Sequence, residues 1–249
     1  SDTIFEMEDL PQSIAIVGLG IIGLEIGQAL SHLGVTVTGV DQLETIAGLN
    51  DPSASQSAIE LMTRTFPVWL GHQAKLTSEG SQIRVSAGEH SVVVDKVLAA
   101  MGRRSNVDWL SIENAGVDLN EAGLPVFDPN TMQCGESRVF IAGDIAALNP
   151  VLHEAADEGR IAGYNAARQN STAFKRKTPF AITFTSPNIC TIGASFSSLD
   201  PGTIEIGEMR LGPVGRALIM GMNRGIIRIY VDKSTGILKG ATLVAARGE

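Results

Sequence analysis

The chain has 249 residues, of which 44% are hydrophobic and 18% charged, and a net charge of −8. This exceeds a typical domain of about 100–200 residues, so two compact units and a partial third are expected, and the apolar content excludes disorder. The acidic balance disfavours nucleic acid or anionic lipid as a partner, no apolar run approaches the roughly 20 residues of a membrane span, and no secretory h-region opens the sequence, so a soluble cytoplasmic protein is the expectation.

Four apolar residues, Ile14 to Val17, predict a buried parallel strand, and Gly18, Gly20 and Gly23 follow with G-x-G-x-x-G spacing. In a strand-to-helix turn the first glycine permits the tight turn, the second lets backbone approach a pyrophosphate, and the third lets helix and strand pack closely. Ile22, Ile26, Ala29, Leu30 and Leu33 recur at helical spacing, Gly34 stops the helix, and Val35–Val40 predicts a second strand. That strand ends in Asp41, 18 positions after Gly23, near the offset at which an acid bonds the ribose hydroxyls of NAD. A 2′-phosphate would meet that carboxylate as a like charge, and Gln42-Leu-Glu-Thr supplies no arginine for it, so NAD is favoured over NADP.

Further on, Asp51-Pro52 predicts an N-cap with proline in the first turn of a helix over Ser53–Thr65. A strand near Val68–Leu70 continues the parallel sheet, and Lys75–Ser78, Gln82–Ala87 and His90–Val94 alternate as an antiparallel meander. Val97–Ala100 returns an apolar strand, and the first domain closes at Gly102. From Arg103 to Arg176 the pattern restarts, with a short helix near Val107–Asn114, small strands at Val117–Leu119 and Pro125–Asp128, an apolar strand over 139–142 ending at Gly143-Asp144, and a helix over Leu152–Gln169. A carboxylate at a strand's carboxyl end suits a ligand, although Gly-Asp is also an ordinary turn. From residue 177 onward, Phe180–Thr185, Ile189–Gly193, Ile204–Met209, Gly225–Val231 and Leu238–Ala245 predict a mainly antiparallel sheet. Cys134 and Cys190 form no local redox pair and predict two reduced thiols, and the four histidines, among them His32 on the polar side of the first helix, have no metal-ligand spacing.

Several of these segments, in this order, resemble the pyridine-nucleotide–disulfide oxidoreductases, and within them most closely dihydrolipoamide dehydrogenase. The stretch from Gly18 to Gly27 resembles the family's G-x-G-Y-I-G-x-E-x-G motif with Ile21 in place of tyrosine, and Ala100–Asn106 its A-x-G-R-x-P-N segment with Ser105 in place of proline. Arg138–Asp144 is similar to the second flavin motif, Val151–Gly159 to the helix start beneath the flavin, and Thr185–Asn188 to the opening of the interface domain. The resemblance implies an α/β fold in three parts: a Rossmann-like NAD-binding domain with a meander (1–102), the second portion of an FAD-binding domain (103–176), and a truncated interface domain of antiparallel α+β type (177–249).

It implies that Gly18, Gly20 and Gly23 hold the NAD pyrophosphate within a loop that includes Leu19, Ile21 and Ile22, and that Asp41 holds the adenosine ribose. Glu25 would lie near nicotinamide and flavin, although it also reads as an exposed first-turn acid. Ala74 and Gly102 would line the NAD cleft, Asp144 would bind the ribityl or pyrophosphate part of FAD, and Leu152 and His153 would touch the flavin through backbone groups. His153 reads equally as an ordinary helix-start histidine. No C-x-x-x-x-C pair, the redox pair of the family, occurs in these 249 residues, and the resemblance implies that the family's C-terminal helical region, with its H-x-x-x-x-E acid/base pair, lies beyond them. The expectation is therefore a fragment of a longer homodimeric flavoenzyme, with NAD as its ligand, FAD bound only by the full-length parent, no catalytic residue in this chain, and no turnover by the chain alone. The parent would oxidise dihydrolipoamide through a redox disulfide and FAD to NAD, with an acyltransferase component of a 2-oxo acid dehydrogenase complex as an implied partner. A glutathione, mercuric or transhydrogenase-type reductase is the alternative enzyme, and an NAD-sensing module the alternative outside catalysis.

Overall fold

The computed structural model describes residues 2–148 and 150–248, which divide into two compact units, one of residues up to 102 together with 180 onward, the other of residues 103–179. In the first unit, strands β1 (Ser13–Val17), β2 (Thr36–Val40), β3 (Val68–Trp69) and β7 (Lys96–Ala99) form a parallel sheet in the order β3-β2-β1-β7. Ile14 pairs with Val37 and with Lys96, so β1 is flanked on both sides, which explains its unbroken apolar run. Between them run helices α1 (Ile21–His32) and α2 (Pro52–Met62), and the meander of β4 (Lys75–Glu79), β5 (Gln82–Ala87) and β6 (His90–Val94).

Side-chain alternation along β1 and β2 divides this unit into layers. Ile14, Ile16 and Val37 face the helices and share a core with Leu24, Leu30, Ala58, Met62 and Phe66, whereas Ala15 and Val40 face the meander and pack on Val85, Ala87 and Val94. A second sheet, antiparallel throughout, has the order β10-β11-β12-β9-β8 and comprises β8 (Phe180–Thr183), β9 (Asn188–Gly193), β10 (Ile204–Arg210), β11 (Gly225–Asp232) and β12 (Leu238–Ala245). Its Ile189, Ile226 and Val244 join the helix-side core, so α1 and α2 are covered on both faces. The helix α4 (Gly215–Ile219), a single turn, has no sequence forecast because five residues are too few to display a period.

Asp51 caps α2 as its sequence position predicts, its Oδ1 accepting the amides of Ser53 at 3.0 Å and Ala54 at 3.1 Å. Its Oδ2 has partners that no local pattern announced: Arg228 Nε and the Tyr230 hydroxyl, each at 2.7 Å, from β11. Arg228 also pairs with Glu208 of β10, and Tyr230 donates into a cluster it shares with Thr242 of β12. One buried carboxylate thus fastens the start of α2 to β11, whose Arg228 and Tyr230 in turn bond β10 and β12.

The second unit contains helix α3 (Leu152–Ala166), and Ile161 packs on Met132, Cys134, Ile141 and Ala146. The small strands expected here do not form: Leu119 and Pro125 make one isolated bridge, as do Gln133 and Phe140, and Val107–Trp109 and Ile112–Ala115 are short 3-10 turns. A ladder needs consecutive pairs on a neighbouring strand, and these segments are held instead by side chains. The buried amide of Asn165, for example, donates to the carbonyls of Thr131 and Thr172 and accepts the amide of Thr172. Cys134 and Cys190 are both buried thiols in different units, and burial pushes the Cys134 thiol up from its ordinary value. No helix among the described residues is long and apolar enough to cross a membrane.

Candidate functional site

Strands β1, β2 and β7 run in one direction, so their carboxyl ends share an edge, and the order of the sheet reverses at β1, with β2 on one side and β7 on the other. Ligands of open α/β sheets bind outside the carboxyl ends at such a reversal, because the connecting chains there diverge and leave a crevice. A cleft of about 320 Å³ lies at this edge, walled by Gly18, Gly20, Asp41, Ala74, Met101 and Gly102 among others.

The glycine loop is built by contacts that only glycine permits. Gly18 has a φ of +97°, and a Cβ there would stand 2.5 Å from the Ala100 carbonyl oxygen at the end of β7. At Gly23 a Cβ would lie 1.9 Å from the Gly18 carbonyl oxygen, so α1 crosses its own entry loop at backbone contact. Gly20 differs: it is the N-cap of α1, no side chain caps it, and a Cβ would meet nothing within 4 Å. The positive end of the α1 dipole, with its first-turn amides, therefore opens onto the cleft, an arrangement suited to a pyrophosphate.

Asp41 stands at the same edge, and its Oδ2 accepts the Leu19 amide of the glycine loop at 2.6 Å while Oδ1 accepts the Leu43 amide at 2.9 Å. An ionised carboxylate has about four acceptor sites, so ribose hydroxyls could still be bound by the side chain that pins the loop. The geometry thus gathers Gly18, Gly20, Asp41, Ala74 and Gly102 into one cleft. Leu19, Ile21, Ile22 and Gly23 are not in its wall: the Leu19 side chain is buried in the core, and the others begin the helix behind the loop.

Glu25, one turn farther along α1, also lies outside the cleft wall, and its Oε1 accepts the Phe184 amide at 2.7 Å. Gln28 holds Ser186 in the same way, which sequence reasoning missed because contacts 158 and 159 positions apart leave no periodic signal.

In the second unit, Asp144 sits in a 3-10 turn, Gly143–Ala146, rather than at the end of a strand. Its Oδ2 receives Arg103 Nη1 at 3.0 Å, with 63% of the Arg103 side chain and 51% of the Asp144 side chain exposed. Because so exposed a pair contributes at most about 1 kcal/mol, Arg103→Ala is expected to change the unfolding free energy by less than that, which denaturant titration would measure. The Gly143 amide is held by Glu158 Oε2 at 2.7 Å, and Glu158 and Glu154 are buried against Arg176. Leu152 and His153 begin α3, which packs on the Asp144 turn, with both side chains exposed.

The sequence pattern described as pyridine nucleotide-disulphide oxidoreductase matches residues 1–171, and that described as the pyridine nucleotide-disulphide oxidoreductase dimerisation domain matches residues 179–249. The chain is 29% identical to a dihydrolipoyl dehydrogenase of Thermus scotoductus over 95% of its length and 53% of that relative's. It is 28% identical to a mercuric reductase of Staphylococcus aureus, over 98% of its length and 46% of that relative's. Among solved structures, LpdA from Mycobacterium tuberculosis superposes with a TM-score of 0.83 at 26% identity, over 97% of this chain and 54% of that one. The HOCl-induced flavoprotein disulfide reductase RclA from Escherichia coli has a TM-score of 0.84 at 22% identity, over 98% of this chain and 57% of that one, and supports the fold alone. The chain belongs to the pyridine nucleotide-disulphide oxidoreductase family, and it spans about half the length of the curated relatives it matches.

Proposed function

We propose that the first unit binds NAD, and that this chain supplies the nicotinamide-nucleotide site of a flavin-dependent oxidoreductase acting on dihydrolipoamide. The observation that carries this reading is the uncapped start of α1 at Gly20, open to the cleft beside Asp41, where an anionic ligand would meet amides rather than side chains. Gly18 and Gly23 would set the loop, Gly20 would admit the pyrophosphate, and Asp41 would accept from the ribose hydroxyls while fixing Leu19. Ala74 and Gly102 would form the cleft walls. Bound NAD supplies the hydride-accepting nicotinamide, and the protein's part is to bind and orient it.

Asp144, with the backbone at Leu152 and His153, would contribute to FAD in the parent enzyme, since the exposed Asp144 carboxylate keeps acceptor capacity beyond Arg103. The family's redox disulfide needs a cysteine pair that these residues do not contain, so the 249-residue chain by itself is proposed to bind NAD(H) without turnover. Residues 179–249 would serve dimerisation in the parent, and the three-part division at 102 and 176 is part of the same proposal. A second reading, a mercuric-type reductase, is supported by the near-equal identity to the Staphylococcus aureus relative.

Calorimetric titration of the chain tests the nucleotide site. NADH is expected to bind and NADPH to bind at least about tenfold more weakly, and Asp41→Ala is expected to cost roughly tenfold in NADH affinity and to narrow the gap, one tenfold step being 1.4 kcal/mol. Equal affinity for both nucleotides would overturn the role of Asp41, and absence of NADH binding would overturn the site.

A further inference from the structure

Helix α1 is gripped at two places by groups that belong to different parts of the fold. Its start meets the glycine loop, where the Gly23 position touches the Gly18 carbonyl at backbone distance. Its second turn reaches the opposite way. Glu25 Oε1 accepts the Phe184 amide at 2.7 Å, Gln28 Oε1 accepts the Ser186 amide at 2.7 Å, and Gln28 Nε2 donates to the Ser186 carbonyl at 3.2 Å.

The geometry of this clamp follows from two periodicities. Residues 25 and 28 are three apart and therefore share one face of the helix. Phe184 and Ser186 are two apart, so in extended backbone their amides point to the same side. Both lie in the link between β8, which ends at Thr183, and β9, which begins at Asn188, where no ladder partner holds the amides. Gln28 is buried, at 5% exposure, and its amide group is spent on a single backbone residue. Phe184 is 66% exposed, so apolar burial does not hold it in place. Polar side chains of α1 thus replace the missing ladder, and the segment in turn restrains the rotation and slide of α1.

We infer that Glu25 and Gln28 are positioning residues for the nucleotide cleft, coupling occupancy of the glycine loop to the order of the 184–186 segment through α1. The inference rests on the NAD reading given above. A ligand on the first-turn amides of α1 needs those amides fixed, and a clamp one turn away supplies part of that restraint. Linkage makes the relation reciprocal: if the clamp favours the ligand, the ligand favours the clamp by the same factor. Glu25 acts here as a hydrogen-bond acceptor, so its charge is not required.

The test uses the 249-residue chain and the variants E25A/Q28A, Q28A and E25Q, with NADH as probe. NADH affinity is expected to fall roughly tenfold in E25A/Q28A, within the usual range of coupling between sites. E25Q, which retains an acceptor for the Phe184 amide, is expected to stay within about twofold of wild type, a rescue that loss of a charge would not allow. Hydrogen exchange read on peptides covering 183–188 is expected to slow on adding saturating NADH to the wild type, and not to slow in E25A/Q28A. Wild-type affinity in a folded E25A/Q28A, or an E25Q as weak as the double variant, overturns the inference. Should E25A/Q28A fail to fold, Q28A and the wild-type exchange experiment decide, and absence of NADH-dependent protection at 183–188 overturns it. If the wild type does not bind NADH, the NAD reading itself fails, an outcome distinct from intact binding that ignores the clamp.

Discussion

Asp51→Ala is expected to lower the unfolding free energy by about 2–4 kcal/mol, the combined cost of a lost helix cap and of hydrogen bonds to a buried carboxylate, with Arg228 keeping Glu208 as its second partner. The Asp51 side chain is fully buried and that of Arg228 is 10% exposed, so water cannot replace the lost carboxylate. The variant also loses the cap on Ser53 and Ala54 and the acceptor of the Tyr230 hydroxyl. Urea denaturation would show the midpoint fall with an unchanged slope, and a loss below about 1 kcal/mol would contradict the account.

The same carboxyl gives a signed dependence on pH. Burial alone would raise its pKa, but the Tyr230 hydroxyl, the Ala54 amide and Arg228 outweigh burial and hold it below the ordinary carboxylate value. A depressed folded-state pKa contributes stability that is fully present above the unfolded value near pH 4 and is lost as pH falls through the folded value. Asp51→Asn, which keeps an acceptor for the cap and loses the charge, is expected to flatten that acid limb below about pH 4. An unchanged acid limb would assign it to other carboxylates.

Gly23→Ala is expected to weaken NADH binding by about 10- to 100-fold, through an overpacking cost of about 1–3 kcal/mol. The added methyl would sit 1.9 Å from the Gly18 carbonyl oxygen and 3.2 Å from Ile16 Cγ2, and the nearer obstacle is backbone, so no rotamer change relieves it. The start of α1 must move, and its first-turn amides move with it. Gly20→Ala supplies the contrast. Its Cβ meets open space and its φ of −70° suits alanine, so unfolding is expected to change by no more than about 0.5 kcal/mol while NADH affinity still falls, because the methyl points where a pyrophosphate would approach. Calorimetry paired with denaturation separates the two variants, and undiminished binding by Gly20→Ala would contradict the position of the ligand.

Local pattern made the first 102 residues legible. The apolar run of Ile14–Val17, the three spaced glycines, the acid at 41 and the cap at Asp51-Pro52 are signals each within about 20 residues of the next, and each is a rule of backbone geometry or burial. The meander showed itself equally well because its strands alternate on one face and turn at glycines. Between residues 107 and 146 the sequence offered the same apolar runs but they make only isolated bridges, since a run states that a segment is buried and not that a neighbour will pair with it.

The sequence by itself therefore determined the α/β class and the order of elements around the glycine loop, because these follow from periodicity and short spacings, while its motifs carried the resemblance to the family. Only the tertiary structure decided what the polar side chains do. Asp41 pins Leu19 as well as facing the cleft, Glu25 and Gln28 hold Phe184 and Ser186, and Asp51 holds Arg228 and Tyr230 across 177 and 179 positions. A carboxylate or amide accepts from whichever donor the fold brings within 3 Å, and sequence distance carries no record of that encounter.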